Sequence, residues 1–522
     1  MTATDRIGLI CLLYFSPLCG GCEWEVEENS RSTEAIVTAP TQNYLANPTT
    51  PGQEVSVAYV PGGGNTPGRW VMGFIPLSTP VERHVGWAYS SDAMGTNWTS
   101  RGIPSGTAWG DPGPSPVSSS PFAGWRSDPS LAPVTDPTIN NNGTRVLVSE
   151  IAIQANGMLE NVIVALSSDR GETWANTQYV NTASSGGADH PTISSNPNSP
   201  YGTYVAWASS SSPTGGWINS VRYATPTSFT KGTPVPIPRT LPYWINVPNV
   251  AMGVVKGCDG ILHQAVYVAY AGIGPPHCTP GTATTYNMKW FLAVYDTVAN
   301  VFYGPWGIAN DATFPTCVGG SGSMNRLWDP GVEARLAVDS ASPTFFLAHV
   351  NSTAYGTRID VDSGSIGCGG GTPAVTATRM PVCNPNTPNC VMGGLGRTDG
   401  SGMPIIQDDW APSIAFVYGP SMTPRTVVTW MSTRDDPGNA NRLTNIYMAF
   451  SEDRFWSVSS PVRVSFATPG TTQTVPWDQN IGSWIDYQGL APNPITGAFL
   501  AGWGGDCRSN FSFCQIYSGL MQ

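Results

Sequence analysis

Eight residues, Ser167-Ser168-Asp169-Arg170-Gly171-Glu172-Thr173-Trp174, constrain this chain more than any other stretch. They follow the apolar run Val162-Ile163-Val164-Ala165-Leu166, so the sequence predicts a strand, a tight turn and a return strand starting at the tryptophan. The residue types suit that geometry, because Ser and Asp accept hydrogen bonds from turn amides and Gly takes a positive φ. Two degraded copies also follow apolar runs. Ser90-Ser91-Asp92-Ala93-Met94-Gly95-Thr96-Asn97-Trp98 has one extra residue before its glycine, and Ser451-Glu452-Asp453-Arg454-Phe455-Trp456 has lost the glycine. Arg222-Tyr223-Ala224-Thr225-Pro226-Thr227-Ser228-Phe229 reads as a fourth, more eroded copy. A hairpin recurring at one place in a unit marks a repeat architecture.

The surrounding units support this. Each opens with an acid or amide near a proline or aromatic, as in Asp136-Pro137, Asp189-His190-Pro191, Asn246-Val247-Pro248, Asp329-Pro330, Asp409-Trp410-Ala411-Pro412 and Asp486-Tyr487. A second strand rich in Val, Ala and Trp follows, then a third that ends at the hairpin. With the unit from Glu54 to Trp98, seven are counted. No apolar stretch of helical period is long enough for a helix, while 58 Gly, 47 Pro and 19 Trp suit many short strands joined by many turns. The fold class expected is therefore all-β, with radially packed antiparallel sheets forming a propeller. The last unit has three evident strands, so a strand from the N-terminal side, Glu34 to Thr38, is expected to complete its sheet.

A formal net charge of −11 with 24 basic residues excludes a nucleic-acid phosphate backbone as partner and disfavours an anionic membrane surface. Residues 1–22 read as a secretory signal: Ile7 to Leu18 is apolar but shorter than a span, and Cys22 after two glycines fits a lipoprotein cleavage site. Ordinary signal cleavage nearby is the alternative. The membrane would then be reached only through a lipid on Cys22, in an exported protein of the outer surface or periplasm. Residues 23–51 read as a polar tether and 52–522 as one propeller domain. Eight cysteines would remain, an even number that suggests disulfides. The simplest pairing joins Cys383 to Cys390, Cys507 to Cys514, Cys258 to Cys278, and Cys317 to Cys368.

The order Ser-x-Asp-x-Gly-x-Thr-Trp resembles the Asp-box, or BNR, repeat of the sialidase-like β-propellers. The resemblance implies that Ser167, Asp169, Gly171, Thr173 and Trp174 are a fold element on the face away from the active site. Sialidases have six blades, whereas the unit count here favours seven. The family's activity is hydrolysis of terminal sugars. It uses three arginines on the sugar carboxylate, the first in an Arg-Ile-Pro motif, with a Tyr activated by Glu as nucleophile and an Asp as acid/base. No Arg-Ile-Pro occurs in this chain. Arg326, Arg434 and Arg508 are the arginines expected on the correct rim.

In an up-and-down sheet the third-to-fourth turn lies on one rim, and the opening of the first strand lies on the other. Asp136, Asp189, Asp329, Asp409 and Asp486 are thus expected around one channel mouth. Glycoside hydrolysis needs one group to protonate the leaving oxygen and another to attack or to activate water. Asp189 with His190, Asp409 beside Asp408, and Asp486 with Tyr487 lead because each offers a second functional group. The competing reading makes these acids turn caps repeated for architecture. Trp244, Trp328, Trp410 and Trp484 stand beside unit openings, as sugar platforms or as core. Asp360-Val361-Asp362-Ser363-Gly364 has the opening rhythm of a calcium loop but no closing acid, and reads as a plain turn. No phosphate loop, GxSxG elbow or HExxH occurs, so neither cofactor nor metal is expected. Two functions stay open: an exo-acting glycosidase, or a noncatalytic propeller binding a glycan or a cell-surface protein, in either case as a monomer.

Overall fold

The computed structural model describes residues 44–47, 52–62, 66–76, 85–102, 112–119, 122–134, 145–154, 159–185, 187–196, 202–209, 215–225, 228–273, 286–308, 312–314, 334–353, 356–369, 372–381, 409–434, 443–454, 458–465, 477–478, 488–505 and 515–522. Among the described residues the only helix is one 3-10 turn, Ala183–Ser185, and the regular structure is otherwise strand.

The strands form seven consecutive four-stranded antiparallel meanders. The first four comprise β2 (Gly52–Val60), β3 (Arg69–Pro76), β4 (Gly86–Ser90) and β5 (Trp98–Gly102); β6 (Phe122–Val134), β7 (Arg145–Gln154), β8 (Leu159–Ser167) and β9 (Ala175–Tyr179); β10 (Ala188–Ser195), β11 (Thr203–Ser209), β12 (Gly216–Thr225) and β13 (Ser228–Lys231); and β15 (Trp244–Lys256), β16 (Leu262–Ile273), β17 (Tyr286–Asp296) and β18 (Val301–Gly307). The remaining three are β20 (Ala334–Val338), β21 (Thr344–Thr353), β22 (Gly356–Gly369) and β23 (Thr372–Pro381); β24 (Asp409–Tyr418), β25 (Pro424–Ser432), β26 (Leu443–Ser451) and β27 (Val462–Arg463); and β29 (Gly489–Pro492), β30 (Phe499–Gly505), β31 (Gln515–Met521) with β1 (Tyr44–Asn47). Short strands β14 (Val235–Pro236), β19 (Ala312–Phe314) and β28 (Trp477–Asp478) pair at the margins. One parallel pair, Lys256 with Gly367, joins the fourth and fifth meanders.

Alternation explains why these runs are apolar on both faces. In β8, Val162, Val164 and Leu166 pack with Ala132, Val205 and Trp207, while Ala165 packs on the opposite side with Val71, Val146 and Trp174. A sheet sandwiched between two neighbours has no solvent face, so period-2 polarity is lost.

Each first strand touches the first strand of the next meander, from β2 through β6, β10, β15, β20 and β24 to β29, and β29 touches β2. These strands do not pair as a ladder, so their backbone N–H groups need other acceptors. Side chains provide them. Leu131 N donates to Ser56 Oγ at 3.0 Å, Ile193 N to Ser130 Oγ at 3.1 Å, Val250 N to Thr192 Oγ1 at 3.2 Å, and Leu336 N to Asn249 Oδ1 at 2.8 Å. Gln488 Nε2 donates to the Ala411 carbonyl at 3.0 Å. This belt surrounds a cavity of about 160 Å³ lined by residues of all seven first strands or, for Gln488, by the residue just before one.

Several sequence expectations are corrected. The strand that completes the last sheet is Tyr44–Asn47 on β31, inside the segment read as tether; Glu34 to Thr38 lies outside the described residues. The second unit opens at Ser127-Asp128-Pro129 within β6, because that strand begins at Phe122 and Asp136 falls after its end, outside the described residues. Asp360 to Gly364 is part of β22, with Asp360 and Asp362 buried and paired to Arg358 and His349. Cys258 bonds Cys368, not Cys278, and this also overturns Cys317 with Cys368. The parallel contact of β15 with β22 brings these two cysteines together across 110 residues of sequence, a proximity that close spacing along the chain cannot reveal. The other proposed pairs lie outside the described residues.

Candidate functional site

Five first strands carry a register irregularity at the same place: Gln53/Ser56 in β2, Ser127/Ser130 in β6, Asp189/Thr192 in β10, Asn246/Asn249 in β15 and Trp410/Ser413 in β24. In four of them a non-glycine residue of positive φ precedes a proline. These residues are Asp128 (52°), His190 (46°), Val247 (41°) and Ala411 (46°). Proline has no N–H to contribute to a ladder, so a bulge is where a strand tolerates it, and the strain at the preceding residue is of order 1–3 kcal/mol. The device turns one side chain per strand out of the regular alternation. His190 and Val247 thereby line the channel.

Among the described side chains, those of β6 and β10 place chemistry at this position. His190 Nδ1 lies 3.6 Å from Asp128 Oδ2, and His190 Nε2 lies 3.7 Å from Asp189 Oδ2. One ligating atom from each of the three residues falls within 4.8 Å of the others. The second oxygen of each carboxyl is held locally: Ser127 Oγ donates to Asp128 Oδ1 at 2.7 Å, and the His190 amide donates to Asp189 Oδ1 at 3.0 Å. The Asp128 side chain is 11% exposed, that of His190 16% and that of Asp189 34%, so Asp128 is the most enclosed of the three and Asp189 the most open. Arg335 lines the same cavity from β20.

Strand register places this group far from the hairpins. Pro133 faces Val146, which faces Ser167 at the hairpin end, whereas Ser127 faces Ile151. The six-residue offset from Ser127 to Pro133 is roughly 20 Å at about 3.3 Å per residue. The hairpins at 90–98, 167–174 and 451–454 all follow third strands. The intact one is built as its sequence predicts: Gly171 N donates to Ser167 Oγ at 2.7 Å, Ser167 Oγ to Asp169 Oδ1 at 2.8 Å, and Thr173 N to Asp169 Oδ1 at 2.8 Å; Thr173 Oγ1 also donates to Asp169 Oδ2, and Trp174 is buried.

The structure brings Asp189 and His190 together but not Asp409. By register Trp410, not Asp409, is the counterpart of Asp189, and a one-residue offset turns a side chain to the other face. Asp409 is buried at 7% exposure, with its amide and carbonyl both bonded to Thr357 Oγ1. Trp410, at 2% exposure, belongs to the hydrophobic core and presents no face to a sugar. Arg434 follows β25 with its guanidinium 5.7 Å over the ring of Tyr447. Trp244, at the start of β15, is 41% exposed. Arg326, Arg508, Asp486, Tyr487, Asp329, Trp328 and Trp484 lie outside the described residues. Asp128 and Arg335 were missed by sequence reasoning; aligning the prolines, Asp128-Pro129 with His190-Pro191, would have revealed the first.

No family model and no curated protein matches this chain. Among solved structures it is similar to an α-L-arabinanase of Penicillium chrysogenum, at 10% identity and a TM-score of 0.39 over 94% of this chain and 99% of that one. It is also similar to a PL25 ulvan lyase, at 9% identity and a TM-score of 0.40 over 92% and 95%, and to a leech intramolecular trans-sialidase, at 8% identity and 0.40 over 83% and 70%. Likeness at this level transfers no function, and the reading below rests on the geometry.

Proposed function

We propose that this protein is a seven-bladed propeller acting as an exo-glycoside hydrolase, with the terminal sugar of a glycan entering the channel mouth at Asp128, His190 and Asp189. The observation that carries the reading is the convergence of two carboxyls, from adjacent first strands, on the imidazole of His190, which lines a cavity bordered by all seven sheets. Hydrolysis needs an activated water at the anomeric carbon and a proton for the departing oxygen. The Asp128–His190–Asp189 group supplies the first. Asp486 and Tyr487, which directly precede the channel-lining Gln488 in sequence, are the candidates for the second. The resemblance of the hairpins to Asp boxes supports the propeller fold that this reading assumes.

The test is a panel of fluorogenic aryl glycosides, sialosides and arabinofuranosides included, assayed with the purified protein and with Asp189→Asn, His190→Ala and Tyr487→Phe. We expect kcat to fall at least about 100-fold in the first two, in the range that loss of acid/base catalysis produces, with unchanged thermal unfolding. Glycan binding on an array with no turnover of any substrate would instead establish the noncatalytic reading.

A further inference from the structure

We infer that the hairpin rim, at the other end of the ring from Asp128, His190 and Asp189, is a docking face for the surface of a neutral lipid bilayer. In every meander the first-to-second and third-to-fourth turns leave from this rim. Ten large apolar side chains are exposed among the described residues, and seven of them stand at such turns: Met94 between β4 and β5, Ile261 and Leu262 where β15 turns into β16, Val298 and Val301 where β17 turns into β18, Met422 between β24 and β25, and Ile495 between β29 and β30. Leu241 and Trp244 stand at the opposite rim, and Val462 lies within β27. Single exposed apolar residues are ordinary, so the grouping is what matters. The turns of Met422 and Ile495 abut: a Cβ on Gly497 would lie 3.0 Å from Gly419 Cα. Met94 Sδ accepts from Gln522 Nε2 at 3.4 Å, just past the end of β31. The sixth, seventh and first meanders thus carry neighbouring apolar tips. In the fourth meander, Thr297 N donates to the Gln264 carbonyl at 3.1 Å, which sets its two turns side by side. Groups on two arcs of one rim make a face and not a groove.

Chain direction names the occupant. β31 is the third strand of its meander and runs toward the hairpin rim, and β1 is antiparallel to it, with Tyr44 opposite Ser518 and Asn47 opposite Ile516. The chain before Tyr44 therefore enters the ring from the hairpin rim, in the meander flanked by the tips of Met422 and Met94. That preceding chain holds Cys22, the expected point of lipid attachment, and the twenty-one residues 23–43 between them cannot stretch beyond roughly 75 Å. A domain leashed this closely meets the bilayer at high effective concentration, so the tips need only modest affinity of their own. Apolar side chains that enter the boundary between headgroups and acyl chains provide it. Charge sets the lipid. Acids and bases at this rim are matched, Glu172 with Arg69 at 2.6 Å and Asp339 with Arg454 at 3.2 Å, so the face calls for no excess of lipid charge. Docked in this way, the ring turns the His190 end of its channel away from lipid. The inference does not rest on the hydrolase reading.

The test attaches the full chain, through an N-terminal hexahistidine tag, to phosphatidylcholine vesicles that carry a nickel-chelating lipid, and follows hydrogen exchange by mass spectrometry. Amides in the turns around Ile261, Met422 and Ile495 should exchange at least about fivefold more slowly on vesicles than in free solution, while those around Trp244 at the opposite rim keep their rates. Met422→Glu combined with Ile495→Glu should abolish the protection at those two turns, and Leu241→Glu should leave it intact. Met422 is 70% exposed and Ile495 62%, so the paired variant should melt at the wild-type temperature. Exchange that is equal with and without vesicles, or protection that the paired variant retains, would overturn the inference. So would protection that appears without vesicles as protein concentration rises, since a second copy of the chain would then be the occupant.

Discussion

At the residue scale, one acid per hairpin closes the turn. Asp169 accepts from the Ser167 hydroxyl and from the Thr173 amide and hydroxyl, and Asp92 does the same for the Thr96 amide and hydroxyl. Asp169→Ala is expected to cost about 1–3 kcal/mol, the range for losing hydrogen bonds to a charged acceptor, read as a shift of the urea midpoint. A second residue-scale device sits at the hairpin end of the fourth meander. His263 donates between Asp296, at 2.7 Å, and Asp259, at 3.0 Å. The bond to Asp296, reinforced by Asp259, raises its pKa above the ordinary 6.5. Burial alone would raise Asp296, but bonds from the Ala299 amide, His263, Tyr303 and the Val298 amide outweigh it and leave the carboxyl lowered. A raised imidazole stabilises the fold fully below its unfolded pKa, about 6.5, and the contribution is lost as pH rises through the higher folded value. The lowered acid acts oppositely: its contribution is present above about 3.8 and fades as pH falls through the folded pKa. The melting temperature should therefore decline from pH 6.5 upward, and His263→Gln should flatten that limb in calorimetry across pH 6–9. A wild-type limb as flat as the variant's would remove the device.

At the element scale, the first strand is the unit that does the positioning. Its bulge brings His190 in β10 and Val247 in β15 to the channel, and the residue after the proline, Ser130 in β6 and Thr192 in β10, caps an N–H of the next sheet. Ser130→Ala would orphan the Ile193 amide at a cost of about 1–3 kcal/mol, measurable by denaturant unfolding and by faster hydrogen exchange at that amide. Ser130→Thr, which keeps the hydroxyl, should recover most of it. The hairpins were legible in the sequence because the bonds that close each turn are local, as from Ser167 to Thr173. The bulges were half legible. His190-Pro191, Val247-Pro248 and Ala411-Pro412 were visible as unit openings, but Asp128-Pro129 was passed over for Asp136-Pro137, since two Asp-Pro pairs occur in one unit and only register distinguishes the strand from the turn after it. Asp409 misled for a similar reason: one residue of offset, invisible in composition, moves it from the site to a buried anchor on Thr357. Cys258 and Cys368 were illegible because the contact between their strands depends on how two whole meanders abut. That bond closes a long loop, so Cys258→Ala with Cys368→Ala is expected to cost about 2–5 kcal/mol, tested by equilibrium unfolding against the oxidised protein.

At the scale of the whole molecule, closure is what gives the channel its wall. Seven sheets, each of which buries both faces, stand in a circuit of first strands, and the circuit's last sheet has its fourth strand drawn from near the other end of the chain. β1 pairs with β31 through Tyr44 and Ser518, and Ala46 is fully buried among Val55, Tyr59, Trp70 and Leu500, so one short segment bonds the last sheet while packing against the first. Without it β31 becomes an open edge, which is a template for pairing with another chain, and the apolar cluster beneath loses its cover. A chain starting at residue 50 should therefore unfold at a lower temperature than one starting at residue 43, by several degrees in scanning calorimetry, and should scatter light on heating at concentrations where the longer chain stays clear. Equal melting of the two chains would mean that the ring holds through its side-chain belt alone and that β1 only decorates its outer edge.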